Sequence, residues 1–467
     1  MLRAARVTLL ALTVLLTAFL TIGAASASAG PRMPIGFFDD PTFRWSADRI
    51  DNLQRASADG ASIIHTTATW AAIAPTRPAH ATDGDDPAYK LADLDELVQR
   101  ASAYGLRVMI NITGTPKWAN GNKKPNVMPK KVADFQNFAR MLATRYNGAH
   151  GKGYVGLWSV WNEPNLQQFL TPQYVGKKIV STTNYGRLYK AAYAGIKSGN
   201  RSAQVAIGET SAQGRDKPSK GSSQTVSPGN FAKLLSKVRG LKFDAWAHHP
   251  YPTAPFAKPT EKVRYPNVTL STMPKFEKDL HKWFKRTVPI WITEYGHETK
   301  PGEKKGVTLA TQARYAKQAL GIARKDPNVQ MFIWFTFRDS SGNPWQSGLL
   351  KPSGAAKPSY SAFGSLARQT DGIQVNVKSG RTPTLNLYFP FLSYYDAPGT
   401  IIGMTYKVWD GSRLVAVSQP ALPLRASQSV SIPLDFKPVK KHTYTVTVDA
   451  NDPNGHSETV VASLKAI

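Results

Sequence analysis

Eight short apolar runs recur along the chain, at residues 34–38, 61–66, 107–112, 154–161, 204–208, 243–248, 289–293 and 330–335. They are near-continuous apolar stretches, the pattern of strands covered on both faces. Between them lie longer amphipathic stretches, at 93–104, 132–146, 185–198, 230–238 and 308–324. Strands that alternate with helices predict a parallel sheet. Eight repeats in this length predict an α/β architecture, a closed (β/α)8 TIM barrel over residues 30–370. The working face of such a barrel gathers the loops that follow the strands.

From about Gln369 the pattern changes. Helical periodicity stops, Pro and Gly punctuate the chain, and alternating runs appear at 385–389, 404–409 and 444–448. These read as half-buried strands, and Asp410-Gly411 between two of them is a hairpin signal. About a hundred residues of this kind predict a C-terminal β-sandwich of immunoglobulin-like type, residues 371–467. Asp449, Asn451, Asp452 and Asn454 form either a solvated turn or a calcium loop.

The first residues have the three zones of a secretory signal. Arg3 and Arg6 precede an apolar core, and small residues lead to Ala27-Ser28-Ala29 before Gly30. Residues 1–29 are therefore expected to be a cleaved signal peptide, and the protein to be secreted to the extracellular space. A retained anchor is the rival reading, since the apolar run approaches spanning length. The chain has no cysteine, which excludes disulfides, a thiol nucleophile and cysteine-ligated zinc.

The formal net charge is +28. Residues 371–467 carry nine Lys/Arg against seven Asp/Glu, and the first 29 residues two arginines, which leaves +24 on the barrel segment. Much of it follows the strands: Lys117, Lys123, Lys124, Lys130 and Lys131 after the third, Arg215, Lys217 and Lys220 after the fifth, Lys258, Lys262 and Arg264 after the sixth, Lys300, Lys304 and Lys305 after the seventh. A face rimmed by one sign of charge concentrates the other. The rim suits an anionic polysaccharide, or a neutral one in an anionic matrix; the rival reading, solvated lysine on long loops, is favoured by Asp83, Asp85 and Asp86 on the same face. No basic-aromatic module for nucleic acid is visible.

Two glutamates end apolar runs in aromatic surroundings. Glu163 lies in Trp161-Asn162-Glu163-Pro164-Asn165 after the fourth run, and Glu294 in Trp291-Ile292-Thr293-Glu294-Tyr295-Gly296 after the seventh. Two carboxylates on the working face of a barrel are what glycosidic bond cleavage needs. Together with Thr115-Pro116-Lys117-Trp118-Ala119, His249-Pro250-Tyr251, Gly348-Leu349-Leu350 and Lys357-Pro358-Ser359-Tyr360, the ordered set resembles glycoside hydrolase clan A. The likeness runs from about Pro34 to Leu366, to the secreted cellulase-like and β-xylosidase-like members.

The resemblance implies a retaining β-glycosidase, expected to be endo-acting on a polysaccharide. Glu163 would be the acid/base, its pKa well above that of an ordinary glutamate, and Glu294 the ionised nucleophile. Their carboxyl groups would lie about 5–5.5 Å apart. Asn162 would donate to the sugar 2-hydroxyl, Tyr251 would orient Glu294, and His249 would support the same region. Trp334 would floor the cleavage point or serve the core, and Trp118 would stack on sugar. Where many clan members carry an arginine after strand two, this chain offers His65. Either His65 substitutes in part, or another cation does so. His297-Glu298 lacks metal-ligand spacing, so neither metal nor cofactor is expected. Other readings are an exo-acting β-glycosidase, a non-catalytic polysaccharide-binding protein and a transglycosylase. No nucleic acid partner is expected, no membrane segment after signal cleavage, and the protein is expected to act as a monomer.

Overall fold

The computed structural model describes residues 33–467 except 220–222, 343–344, 368–372, 388, 390–399, 421–423, 426–429 and 452–456. The expected signal, Lys220, Asp452 and Asn454 lie outside the described residues.

Eight parallel strands close a barrel: β1 (Ile35–Phe38), β2 (Ile63–Thr69), β3 (Arg107–Thr113), β4 (Leu157–Val160), β5 (Gln204–Ser211), β6 (Ala245–His249), β7 (Ile290–Tyr295) and β8 (Val329–Phe335). β1 pairs with both β2 and β8, which shuts the sheet. After each strand comes a helix: α1 (Arg49–Ala58), α2 (Ala92–Ala103), α3 (Val132–Arg145), α4 (Ser181–Gly199), α5 (Pro228–Leu235), α6 (Met273–Phe284), α7 (Leu309–Arg324) and α8 (Pro358–Ala367). Every apolar run thus becomes a strand, with only its ends displaced by a few residues. The helices form because their apolar side chains recur at three- and four-residue spacing. In α3, Phe135, Phe138 and Leu142 bury one stripe.

The strands are covered on both sides. Ile63, Met109, Leu157, Ala206, Ala247, Trp291 and Ile333 fill the barrel interior. Their sequence neighbours, such as Ile64, Val108, Trp158, Val205, Trp246, Ile292 and Phe332, pack outward with the helices. This alternation follows from the two-residue period of a strand.

Two irregularities break the period at the C-terminal ends. On β5, Gly208 pairs with Ala247 but Thr210 pairs with His248, so Glu209 is an extra residue. Between β7 and β8, Phe332 faces Ile292 while Trp334 faces Tyr295, so one of Thr293 and Glu294 is extra. Such bulges re-aim side chains beside active sites.

The C-terminal region holds a five-stranded sheet. In chain order its strands are β9 (Ile373–Val377), β12 (Gly403–Asp410), β13 (Arg413–Ser418), β16 (Thr443–Asn451) and β17 (Ser457–Ala466), in spatial order β9-β17-β16-β12-β13. β10 (Thr384–Leu387) pairs with β15 (Val430–Pro433), and β11 (Thr400–Ile401) with β14 (Leu424–Arg425). Leu385, Ile432, Tyr406, Val446 and Leu464 share one core, giving a sandwich-like unit. The Asp410-Gly411 hairpin joins β12 to β13, with Gly411 at φ 60°.

This unit sits under the barrel, at the strand N-termini. Trp409 Nε1 donates to the Ala58 carbonyl at the end of α1, at 2.9 Å, and the buried Lys407 ammonium to that of Ala61, in the turn that leads into β2. The sandwich is therefore on the face opposite the loops that carry Glu163 and Glu294. Asp449 lies at this interface, its carboxylate accepting from Thr459 within the sheet.

Candidate active site

The working face is built around His249, the last residue of β6. Its parity places it inside, in line with Ala245 and Ala247, and it is fully buried. Nδ1 donates to Glu163 Oε1 at 3.0 Å and lies 3.7 Å from Glu294 Oε2. Those two oxygens therefore cannot be farther apart than the sum of these distances. The limit accommodates the retaining separation of about 5–5.5 Å. Tyr251 Oη donates to Glu294 Oε2 at 3.0 Å, as the motif implied.

Glu163 follows β4 with φ 37°, and Trp161 two residues earlier has φ 69°. Left-handed backbone at non-glycine residues costs energy and clusters at functional sites. The side chains of Glu163 and Glu294 keep 14% and 11% of their surface open, while His249 shows none. An incoming ligand can reach both carboxyls, but not the imidazole behind them. Asn162 is half-buried on the rim beside Glu163.

A third carboxylate lies deeper. Glu209, turned inward by the β5 bulge with φ 45°, is completely buried. Its Oε2 accepts from His249 Nε2 at 2.7 Å and from Thr293 Oγ1 at 2.7 Å. Sequence reasoning ended the fifth strand at Gly208 and passed over it. The signal was there: like Glu163 and Glu294, Glu209 is a glutamate at the end of an apolar barrel strand.

Burial acts on each of these groups in its own way. It would push Glu209 up, but the hydrogen bond and charge of His249 outweigh it and hold the carboxylate below its ordinary value. Burial would push His249 down, yet the charge of Glu294 and the bonds to Glu163 and Glu209 hold it well above 6.5. For Glu294 burial wins and raises the pKa to about 7, with His249 opposing and the charges of Glu163 and Glu209 assisting. The expectation that Glu294 stays simply ionised is thus corrected for the free site. Desolvation and two neighbouring carboxylates make it take up protons near neutrality.

The remaining expected residues are placed as follows. His65 is buried on β2, its ring 4.3 Å from that of Phe38, and Nδ1 donates to the Thr293 carbonyl at 3.1 Å. Desolvation lowers its pKa, so it is neutral and supplies no charge. Of the two histidines, His249 rather than His65 is the one beside both glutamates with its pKa raised. Trp334 is fully buried in the outer layer, its indole donating to the Ser347 carbonyl at 2.9 Å, which is the core role. Phe335, next along β8, is the ring that faces inward, 5.2 Å from Phe38. Trp118 is half-buried, bonded to the Ala74 carbonyl, with the Arg77 guanidinium 4.3 Å over its ring. Trp70 is core, whereas Trp45 is exposed. Trp345, absent from the sequence expectations, stacks on Tyr251 at 5.3 Å and is 40% exposed.

A cavity of about 720 Å³ lies between α6 and α7, lined by Met273, Glu277, Ile322 and Asn328, well away from this chemistry. Among the described residues, no group of three or more His, Asp and Glu is placed to hold a metal ion, and no helix is long and apolar enough to cross a membrane.

The profile of the cellulase family, glycosyl hydrolase family 5, matches residues 31–337. The chain belongs to this family of glycoside hydrolases. A retaining mechanism is characteristic of its clan. A β-xylosidase from Caldicellulosiruptor saccharolyticus is 24% identical over 324 residues, which cover 64% of this chain and 60% of that protein. A chloroplastic β-glucosidase-like protein of Oryza sativa subsp. japonica is 27% identical over 130 residues, 27% of this chain and 19% of its own. The chain thus spans only part of each relative's length. Among solved structures, a family 39 glycoside hydrolase from Bacteroides cellulosilyticus WH2 superposes with a TM-score of 0.54 at 17% identity, covering 86% of this chain and 79% of that one. A GH5_18 protein from Streptomyces cattleya, in complex with Manβ1-4GlcNAc, gives 0.53 at 15% identity, covering 75% and 86%. At these identities the likeness of the solved structures is one of fold.

Proposed function

We propose that this family 5 hydrolase is a secreted retaining β-glycosidase acting within a polysaccharide chain, with Glu163 as acid/base and Glu294 as nucleophile. The observation that carries the reading is the meeting of both partly open carboxyls at His249 Nδ1, with Tyr251 holding Glu294. Glu294 attacks the anomeric carbon while Glu163 protonates the departing oxygen. Glu163 then takes a proton from the water that releases the glycosyl-enzyme. The productive state holds one proton between the two carboxyls, on Glu163, with Glu294 ionised. Asn162, beside Glu163, would donate to the sugar 2-hydroxyl.

Exposed aromatics on the loops after β1, β6 and β8, Trp45, Phe256 and Trp345, support binding of an extended chain rather than a single sugar. The described lysines and arginines that follow β3, β5, β6 and β7 are exposed, which supports an acidic glycan or an acidic matrix around a neutral one.

The test is release of reducing ends, alongside loss of viscosity, from neutral and uronate-bearing β-glucans, xylans and mannans. Wild type is expected to cut viscosity early, and Glu294→Ala to abolish release. Glu163→Ala is expected to lose about 10²–10⁴-fold on polymer while retaining activity on aryl glycosides, whose leaving groups need no acid. Binding without cleavage by wild type would move the non-catalytic reading ahead, and sugar-extended products the transglycosylase reading. Equal salt dependence on neutral and uronate-bearing chains would remove the electrostatic part.

A further inference from the structure

We propose that Glu209 is the positioning residue of this site: it holds His249 as an imidazolium between the two outer glutamates and, through Thr293, fixes the strand end that carries Glu294. The proposal rests on the glycosidase reading for its kinetic consequence, but not for its geometry.

The geometry comes first. Both nitrogens of His249 face carboxylate oxygens, at 3.0 Å on the Glu163 side and 2.7 Å on the Glu209 side. A neutral imidazole has one donor and one acceptor, so it would turn a lone pair toward one of these oxygens. With both carboxyls ionised, only the doubly protonated ring gives each of them an N–H. Glu209 is fully buried and out of reach of substrate, so it stays fixed whatever happens at the outer pair.

The second arm of Glu209 reaches β7. Thr293 Oγ1 donates to the same Oε2 that receives His249. Thr293 is adjacent to Glu294 in the bulged part of the strand, and its carbonyl is tied from the other side by His65 Nδ1. The nucleophile's backbone is thereby anchored from β5 and β2 at once. Neighbouring charges do not replace this anchor. His65 and His248 are buried and their pKa values lowered, so neither is a cation, and Tyr185 and Tyr251 are held as phenols by burial. Glu163 and Glu294 are themselves the groups to be balanced. Within this cluster His249 supplies the positive charge, and Glu209 supplies the anion that keeps it.

The role differs from a structural one in what it predicts. Removing the charge of Glu209 should release the proton of His249 and leave the outer pair without its cation. Glu294 then binds its proton more tightly, and the kcat/KM profile moves to higher pH by about one unit. kcat should fall by up to about 100-fold, because the nucleophile's strand end loses its anchor, with little change in KM.

The experiment uses the full chain labelled with ¹⁵N-histidine, assigned by the signal that His249→Asn removes. In wild type, His249 should stay doubly protonated through pH 8. In Glu209→Gln it should titrate to a neutral ring below that pH, and Glu209→Asp should restore part of both the charge and the rate. A wild-type His249 that is neutral at pH 7 overturns the proposal, whether or not any glycan is cleaved and even if Glu209→Gln fails to fold. So does a folded Glu209→Gln with wild-type His249 titration and an unmoved pH profile. Absence of cleavage by wild type, with His249 titrating as expected, would instead count against the glycosidase reading alone.

Discussion

Three glutamates end barrel strands on this face, and burial sorts them. Glu209 is the most enclosed yet remains charged, because a cation and a hydroxyl meet its oxygen at 2.7 Å. Glu294 is slightly more open, and burial, with the neighbouring carboxylates assisting, raises it to about 7. This sets a stability prediction. A carboxyl whose folded pKa lies above its unfolded value supports the fold fully below about 4.5. It loses that contribution as pH rises through about 7. Glu294→Gln should therefore melt close to wild type at pH 4 and be more stable at pH 8, by on the order of 1–3 kcal/mol. Thermal unfolding of both proteins at several pH values checks this, and a gap that stays constant with pH would contradict it. Glu163 and Glu294 were legible because each closes an apolar run among aromatics. Glu209 obeys the same rule without an aromatic neighbour to mark it.

At the level of single elements, the bulges on β5 and β7 make the site. Gly208 precedes Glu209 with φ 110°, and a Cβ there would come within 2.7 Å of the Trp246 ring and 2.8 Å of the Ala247 carbonyl. Only glycine permits that turn of chain against β6. Gly296 does the same after Glu294, where a Cβ would lie 2.2 Å from the Phe335 carbonyl. Gly208→Ala should cost roughly 2–5 kcal/mol through strain and overpacking together. Gly240, with φ 73° but nothing within 4 Å of an added Cβ, isolates the backbone part. Its alanine variant should lose only about 1–2 kcal/mol. Urea midpoints of the two variants test the contrast, and equal losses would deny close packing at β5. The residual activity of Gly208→Ala should fall further than its stability, since Glu209 is displaced with it.

For the molecule as a whole, the two units divide the work. The sandwich closes the barrel at its N-terminal end through Trp409, Lys407 and their carbonyl partners, while the chemistry occupies the other end. Trp409 is fully buried, so Trp409→Ala should destabilise the protein by about 3–5 kcal/mol. Its pH–rate profile should remain that of wild type at temperatures where it is folded. A calorimetric scan paired with that profile decides the matter. A changed profile would mean that the sandwich reaches the active face. The charge is divided too, since the barrel segment holds most of the excess and exposes it around the mouth.

Sequence alone determined the eight strand-helix repeats, the change to alternating strands near residue 370 and the two glutamates at strand ends. All are properties of local periodicity, and hydrophobic spacing in a short window decides them. Which side chains meet in the barrel was decided by tertiary structure. One extra residue at a bulge reverses which faces point inward, and only the neighbouring strand reveals that it is extra. That is how Glu209 comes inside, while simple alternation along β8 keeps Trp334 out and lets Phe335 take the inward place. The cation at the site follows the same logic. His65 and His249 are both buried histidines on barrel strands, β2 and β6. Of the two, only His249 has a carboxylate at each nitrogen, one from the loop after β4 and one from β5.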